Sequence, residues 1–240
     1  MWIKICGNTN LQDALLAADE GADAVGFVFA PSARRVTMGQ MSEIVPGLPA
    51  DITSVGIFNT QDFDEIASAL RSAGLHAVQL HGELDFSLAE KLRGEFGPRL
   101  FIIQTLHWNI SGDPARAEEK LRNELRAVGR HNDIDAVLID TRTPTASGGT
   151  GQAFDWKRAR EVISAEAGRL RIIIAGGLHP GNVREAIVTL RPWGVDVASG
   201  VESRPGRKSP EILQDFIRAA RFAFLEIEPP PMLPTQVGSV

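Results

Sequence analysis

Residues 171–200 read RIIIAGGLHPGNVREAIVTLRPWGVDVASG. An apolar run from Arg171 to Ala175 ends on Gly176-Gly177, and a helical stripe follows from Asn182 to Leu190. A second apolar run, Val195 to Ala198, ends on Ser199-Gly200. Neither run alternates strictly, so both suit strands covered on each face, as in a parallel sheet. A helix between two such strands is the crossover that parallel pairing requires.

The same unit recurs toward the N-terminus. Further apolar runs cover Ile3 to Cys6, Ala24 to Phe29, Ser54 to Phe58, Ala77 to Leu80, Leu100 to Leu106 and Ala136 to Ile139. Helical stripes lie between them. Thr9 and Gln12 read as a capping box ahead of Leu11, Leu15 and Ala18. Phe63, Ile66, Leu70 and Ala73 form a stripe stopped by Gly74. Asp113-Pro114 opens a helix through Leu121, Leu125 and Val128, and Ser209-Pro210 opens another through Leu213, Phe216 and Ala220. Weaker helical patterns cover 38–45, 84–92 and 156–167.

Eight strands alternating with eight helices predict an α/β protein, a single closed (β/α)8 TIM barrel, over residues 1–225. The rival doubly wound sheet usually has fewer units and a G-x-G-x-x-G turn. The Gly-rich stretch Ser147-Gly148-Gly149-Thr150-Gly151 lacks that spacing and does not directly follow a strand. Residues 107–133 are expected to form a long connection, part helix and part polar loop. Residues 226–240, with Pro229, Pro230, Pro231 and Pro234, are expected to be a disordered tail. Deleting 228–240 is expected to leave melting temperature and turnover nearly unchanged; a large loss of either shows that the tail docks.

Composition narrows the function classes. The 240 residues are 43% hydrophobic and 23% charged, which is globular. The single cysteine, Cys6, cannot pair within the chain, so a reducing, cytoplasmic setting is expected. Lys4 interrupts the first apolar stretch and polar Asn8, Thr9 and Asn10 follow, which is unlike a signal peptide. Nothing approaches the ~18 apolar residues of a membrane span. A net charge of −5 argues against a nucleic-acid partner.

Barrel enzymes place their chemistry at the carboxyl ends of the strands. Those ends present Cys6-Gly7, Arg34-Arg35 beyond the second strand, His81-Gly82, Asp140-Thr141, Gly176-Gly177 and Ser199-Gly200. Glycines after adjacent seventh and eighth strands let backbone N–H groups approach a phosphate. Either arginine could grip a carboxylate in bidentate fashion. Asp140, following Val137-Leu138-Ile139, starts inside an apolar wall that suits it to donate a proton. A strand-end histidine such as His81 is more often a structural hydrogen-bonder than a catalyst, and His76, His107, His131 and His179 form no spacing that suggests a metal site. The first and sixth strands are separated only by the seventh and eighth, so Cys6 and Asp140 face each other across the mouth. A thiol and a carboxyl so placed suggest acid–base work on a small phosphorylated substrate.

The motifs are familiar. Lys4-Ile5-Cys6-Gly7, Gly21 to Phe29, Val78-Gln79-Leu80-His81-Gly82, Leu138-Ile139-Asp140-Thr141, Gly148 to Gly151 with Phe154-Asp155-Trp156, Ala175-Gly176-Gly177-Leu178, Val195 to Glu202 and Pro205-Gly206 with Lys208 stand in order over residues 2–222. This series resembles the phosphoribosylanthranilate isomerase family of tryptophan biosynthesis. The resemblance implies an Amadori rearrangement of a phosphorylated aminosugar, without metal or organic cofactor, by a monomer or homodimer. It makes Cys6 the general base and Asp140 the general acid. It assigns Arg35 to the anthranilate carboxylate, and Gly177, Ser199 and Gly200 to the phosphate, with His81 counted among the substrate-binding residues. A nearby basic side chain or phosphate-binding N–H groups are expected to favour the Cys6 thiolate. Gln104 stands where many relatives carry Lys. The isomerase of histidine biosynthesis, which performs the same rearrangement, puts Asp at the position of Cys6. A dual-substrate enzyme and a silent phosphosugar-binding barrel are the alternatives, and retention of Cys6, Asp140 and Arg35 together counts against the second.

Overall fold

The computed structural model describes residues 1–109, 113–142 and 156–227. The Gly148–Gly151 stretch, Phe154-Asp155 and residues 228–240 lie outside them.

The parallel strands β1 (Trp2–Ile5), β2 (Ala24–Val28), β3 (Thr53–Phe58), β4 (Ala77–Leu80), β5 (Phe101–Asn109), β6 (Ala136–Arg142), β7 (Arg171–Ala175) and β8 (Gly194–Val197) close into a barrel in chain order. Closure comes from β8 pairing with β1, Trp2 opposite Gly194 and Lys4 opposite Asp196. Around the ring run α1 (Leu11–Asp19), α2 (Met38–Ile44), α3 (Phe63–Ala73), α4 (Phe86–Phe96), α5 (Pro114–Val128), α6 (Trp156–Glu166), α7 (Val183–Leu190) and α8 (Pro210–Ile227).

Strand alternation divides the core in two. Ile3, Ile5, Val25, Val78, Ile102, Val137, Ile139, Ile172 and Ile174 pack outward against the helices. Ala24, Val55, Ala77, Ile103, Ala136, Leu138, Ile173 and Ala175 fill the barrel itself. Its amino end is plugged by aromatic rings: Trp2 stacks on Trp193 at 5.3 Å, and the Arg171 guanidinium lies 5.3 Å from the Trp193 ring centre. The opposite end is left for polar side chains.

Several local expectations shift. Helix α1 is capped by Asn10, whose side chain accepts from the Asp13 N–H, whereas Thr9 donates its hydroxyl to the Gly206 carbonyl instead. The helix expected within the 107–133 connection is α5, but β5 continues to Asn109, so the first three residues of that connection belong to the strand. An unanticipated hairpin, β9 (Glu202–Arg204) and β10 (Arg207–Lys208), follows a one-turn helix at Ser199–Val201. It turns at Pro205-Gly206, where Gly206 has φ +77°.

Candidate active site

The layer beneath the mouth is unusual for a barrel interior. Lys4 and Asp196, register partners on β1 and β8, form a buried ion pair with Nζ and Oδ1 2.9 Å apart. Cys6 stands one inward position above Lys4, held by its N–H donating to the Val197 carbonyl at 2.8 Å. A Cβ on Gly26 would lie 3.0 Å from both the Cys6 Sγ and the Lys4 Cε, so these two side chains occupy the space over that glycine.

The hairpin adds a second cation at the carboxyl ends of β1 and β8. Lys208, also buried, donates from Nζ to the Cys6 carbonyl at 2.6 Å, to the Ala198 carbonyl at 3.2 Å and to Glu202 Oε1 at 3.1 Å. Glu202 in turn receives Arg34, Nε at 2.9 Å and Nη2 at 2.6 Å. The seam between β8 and β1 is thus clamped by a Lys208–Glu202–Arg34 chain.

These charges set the state of the thiol. Burial pushes the Cys6 thiol above its ordinary value and Asp196 adds to the rise, while Lys4 and Lys208 pull it down without prevailing. The expectation of a favoured thiolate is therefore corrected: both cations are present, but desolvation outweighs them. Burial likewise depresses the Lys208 ammonium, against Glu202 and Cys6. Burial alone would raise Glu202, yet Arg34 and Lys208 hold it below the usual carboxylate range.

Asp140 points into the mouth from β6 and is 8% exposed. Its Oδ2 lies 3.9 Å from Nδ1 of His107, its register partner on β5. His81, beyond β4, meets the His107 ring edge-on at 4.8 Å. Gln79, an inward residue of β4, supports both neighbours: its Nε2 donates to Thr105 Oγ1 at 3.1 Å and lies 3.5 Å from His81 Nδ1.

The glycine corner also assembles. A Cβ on Gly200 would lie 1.8 Å from the Leu178 carbonyl oxygen, so only glycine lets the turn after β8 pack on the loop after β7. Gly177 has φ +64° and its carbonyl accepts from Asn182 Nδ2 at 3.0 Å. Ser199 is exposed beside it. The tandem arginines separate: Arg34 turns to Glu202, whereas Arg35 is exposed and its guanidinium has no ion pair among the described residues.

The structure therefore brings Cys6, Asp140, His81, Gly177, Ser199 and Gly200 to one end, with Arg35 on the same rim. Sequence reading missed Lys4, Asp196, Lys208, Glu202 and His107. A cavity of about 850 Å³ at the other end, lined by Met1, Trp2, Trp193 and Phe224, lies far from these groups.

Residues 3–219 match the family described as N-(5'phosphoribosyl)anthranilate (PRA) isomerase. An isomerase of that name from Pelobacter propionicus is 39% identical over 220 residues, covering 91% of this chain and 95% of the relative. The crystal structure of phosphoribosyl anthranilate isomerase from Thermotoga maritima superposes with a TM-score of 0.77 at 37% identity, over 92% of this chain and 99% of that one. A second isomerase structure, in complex with reduced 1-(o-carboxyphenylamino)-1-deoxyribulose 5-phosphate, gives a TM-score of 0.74 at 35% identity, with the same coverage. By fold, by the strand ends that carry its polar groups and by likeness along nearly its whole length, the chain belongs to the N-(5'-phosphoribosyl)anthranilate isomerase family.

Proposed function

We infer that this protein converts N-(5-phosphoribosyl)anthranilate to 1-(2-carboxyphenylamino)-1-deoxyribulose 5-phosphate, the isomerase step of tryptophan biosynthesis. The observation that carries this reading is the placement of a thiol, Cys6, just past the end of β1 and a carboxyl, Asp140, on an inner position of β6, with the glycine corner of β7 and β8 between them. That spacing suits a substrate whose phosphate sits at Gly177, Ser199 and Gly200 while its sugar carbons lie between acid and base.

Asp140 gives its proton to the furanose ring oxygen as the C1–O bond breaks, and the amine lone pair forms a C1=N iminium. Cys6 then takes the C2 proton, and the C2–H electron pair forms C1=C2 as the nitrogen recovers its lone pair. The resulting enol becomes the C2 ketone when C1 takes up a proton and the C2 hydroxyl gives one up. Among the described residues no helix is long and apolar enough to cross a membrane. We place the reaction in the cytoplasm, on a small-molecule substrate. Turnover of phosphoribosylanthranilate by the purified protein in excess chelator tests the reading; binding of a product analogue without turnover would instead mark a sensor.

Arg35 is the group we assign to the anthranilate carboxylate, because Arg34 is already held by Glu202. Arg35→Ala is expected to cost roughly 2–4 kcal/mol in kcat/KM with an unchanged melting temperature. Arg34→Ala should act instead through stability. A larger kcat/KM loss in Arg34→Ala, without loss of stability, would reverse the assignment.

A further inference from the structure

Three side chains unrelated by any sequence spacing converge at the mouth. His81 follows β4 directly, His107 and Asp140 stand on the next strands β5 and β6, and one ligand atom of each lies within 4.8 Å of the others. The His107 ring is oriented from behind, its Nε2 lying 2.9 Å from the His81 carbonyl oxygen. A carbonyl only accepts, so Nε2 carries the hydrogen, and in the neutral ring the lone pair is on Nδ1. That Nδ1 is buried and has no hydrogen-bond partner among the described residues. It faces Asp140 Oδ2 across 3.9 Å. The lone pair of a neutral imidazole facing a carboxylate oxygen is an arrangement that a cation can bridge. A backbone carbonyl fixing one nitrogen while the other points at the site is also how proteins prepare a histidine as a metal ligand.

We propose that His81, His107 and Asp140 form a binding site for Zn²⁺ or a similar divalent transition metal, and that filling it inhibits the enzyme. Two imidazoles and one carboxylate are the ligand set of open zinc sites, leaving a position for water. Metal–ligand bonds of about 2.0–2.2 Å set tetrahedral ligand atoms about 3.3–3.5 Å apart, so the cluster must contract by about 1 Å. The His107 side chain is 36% exposed. An Asp140 bonded to a metal cannot deliver a proton. That consequence rests on Asp140 being the general acid of the proposed reaction; metal binding itself does not.

The test is Zn²⁺ titration by calorimetry of the full chain after chelator treatment, with turnover followed in parallel. Wild type and Cys6→Ser are expected to bind one equivalent alike, and His107→Ala at least about tenfold more weakly. His107→Gln must weaken binding similarly with an unchanged melting curve, which separates ligand loss from misfolding. Binding that vanishes in Cys6→Ser but survives in His107→Ala makes the thiol the ligand and overturns the site, as does absence of one-to-one binding to wild type. Binding at the site without loss of turnover overturns the inhibition. If the metal-free protein binds Zn²⁺ as expected but never isomerises substrate, the site stands and the isomerase reading fails.

Discussion

Replacing Cys6 with alanine, or Asp140 with asparagine, is expected to lower kcat at least about 10³-fold while KM changes far less. Each variant removes a group that acts only as bonds to hydrogen break or form, so ground-state binding is largely spared. The pH dependence carries a sign. Burial raises the Cys6 thiol above its ordinary value, so the resting form is protonated and the basic form appears as pH rises. The kcat/KM profile reports the free enzyme and should therefore climb on the alkaline side. Alkylation of Cys6 by iodoacetamide should accelerate over the same range, with product analogue protecting. If Cys6→Ala keeps most of the wild-type kcat, the base is another residue.

Lys4→Met is expected to cost about 3–5 kcal/mol of stability, because it strands Asp196 in the barrel without a partner. Burial opposes the Lys4 charge, but Asp196 and Cys6 more than offset it, and the ammonium is held above its ordinary value. A raised lysine contributes fully below its unfolded pKa of about 10.4 and loses that contribution only as pH rises through the folded value. The whole loss should thus be visible by denaturant titration at neutral pH. The same substitution removes the strongest opposition to the raised thiol, so Cys6 should alkylate more slowly at fixed pH. Lys4→Met with Asp196→Leu is expected to recover much of the stability but not the thiol reactivity. Wild-type melting and wild-type alkylation in Lys4→Met would remove Lys4 from both roles.

The barrel was legible because its signal is redundant. Runs such as Ile172-Ile173-Ile174 have no exposed face, and helix punctuation such as Gly74, which caps α3 in the left-handed region, sits where the spacing placed it. Cys6, Asp140 and the glycine corner were legible because the fold rule assigns chemistry to strand ends. The charged layer was harder to see. Lys4 and Asp196 each stand within an apolar strand, and only the closing of β8 on β1 reveals that they meet. His107 was hidden by a boundary. With the fifth strand ended at Leu106, it fell into a connection rather than on the inner face of β5. Lys208 and Glu202 lay within familiar motifs, but their role depends on a two-residue pairing too short to leave a periodic trace.

The joining of first strand to last governs how this molecule can be made. Lys4 and Asp196 are 192 positions apart, and β1 has β8 as one of its two neighbours. During synthesis on the ribosome, β1 emerges well before β8 and keeps one edge unpaired until residues 194–197 have been translated. The N-terminus is then tied down by a still later element, since Arg221 of α8 donates to the Met1 carbonyl at 2.6 Å. Contacts of such sequence separation are slow to form. A nascent chain stalled before β8 should therefore hold the strand that leads to Cys6 as an open, aggregation-prone edge, which β8 closes and α8 then ties down.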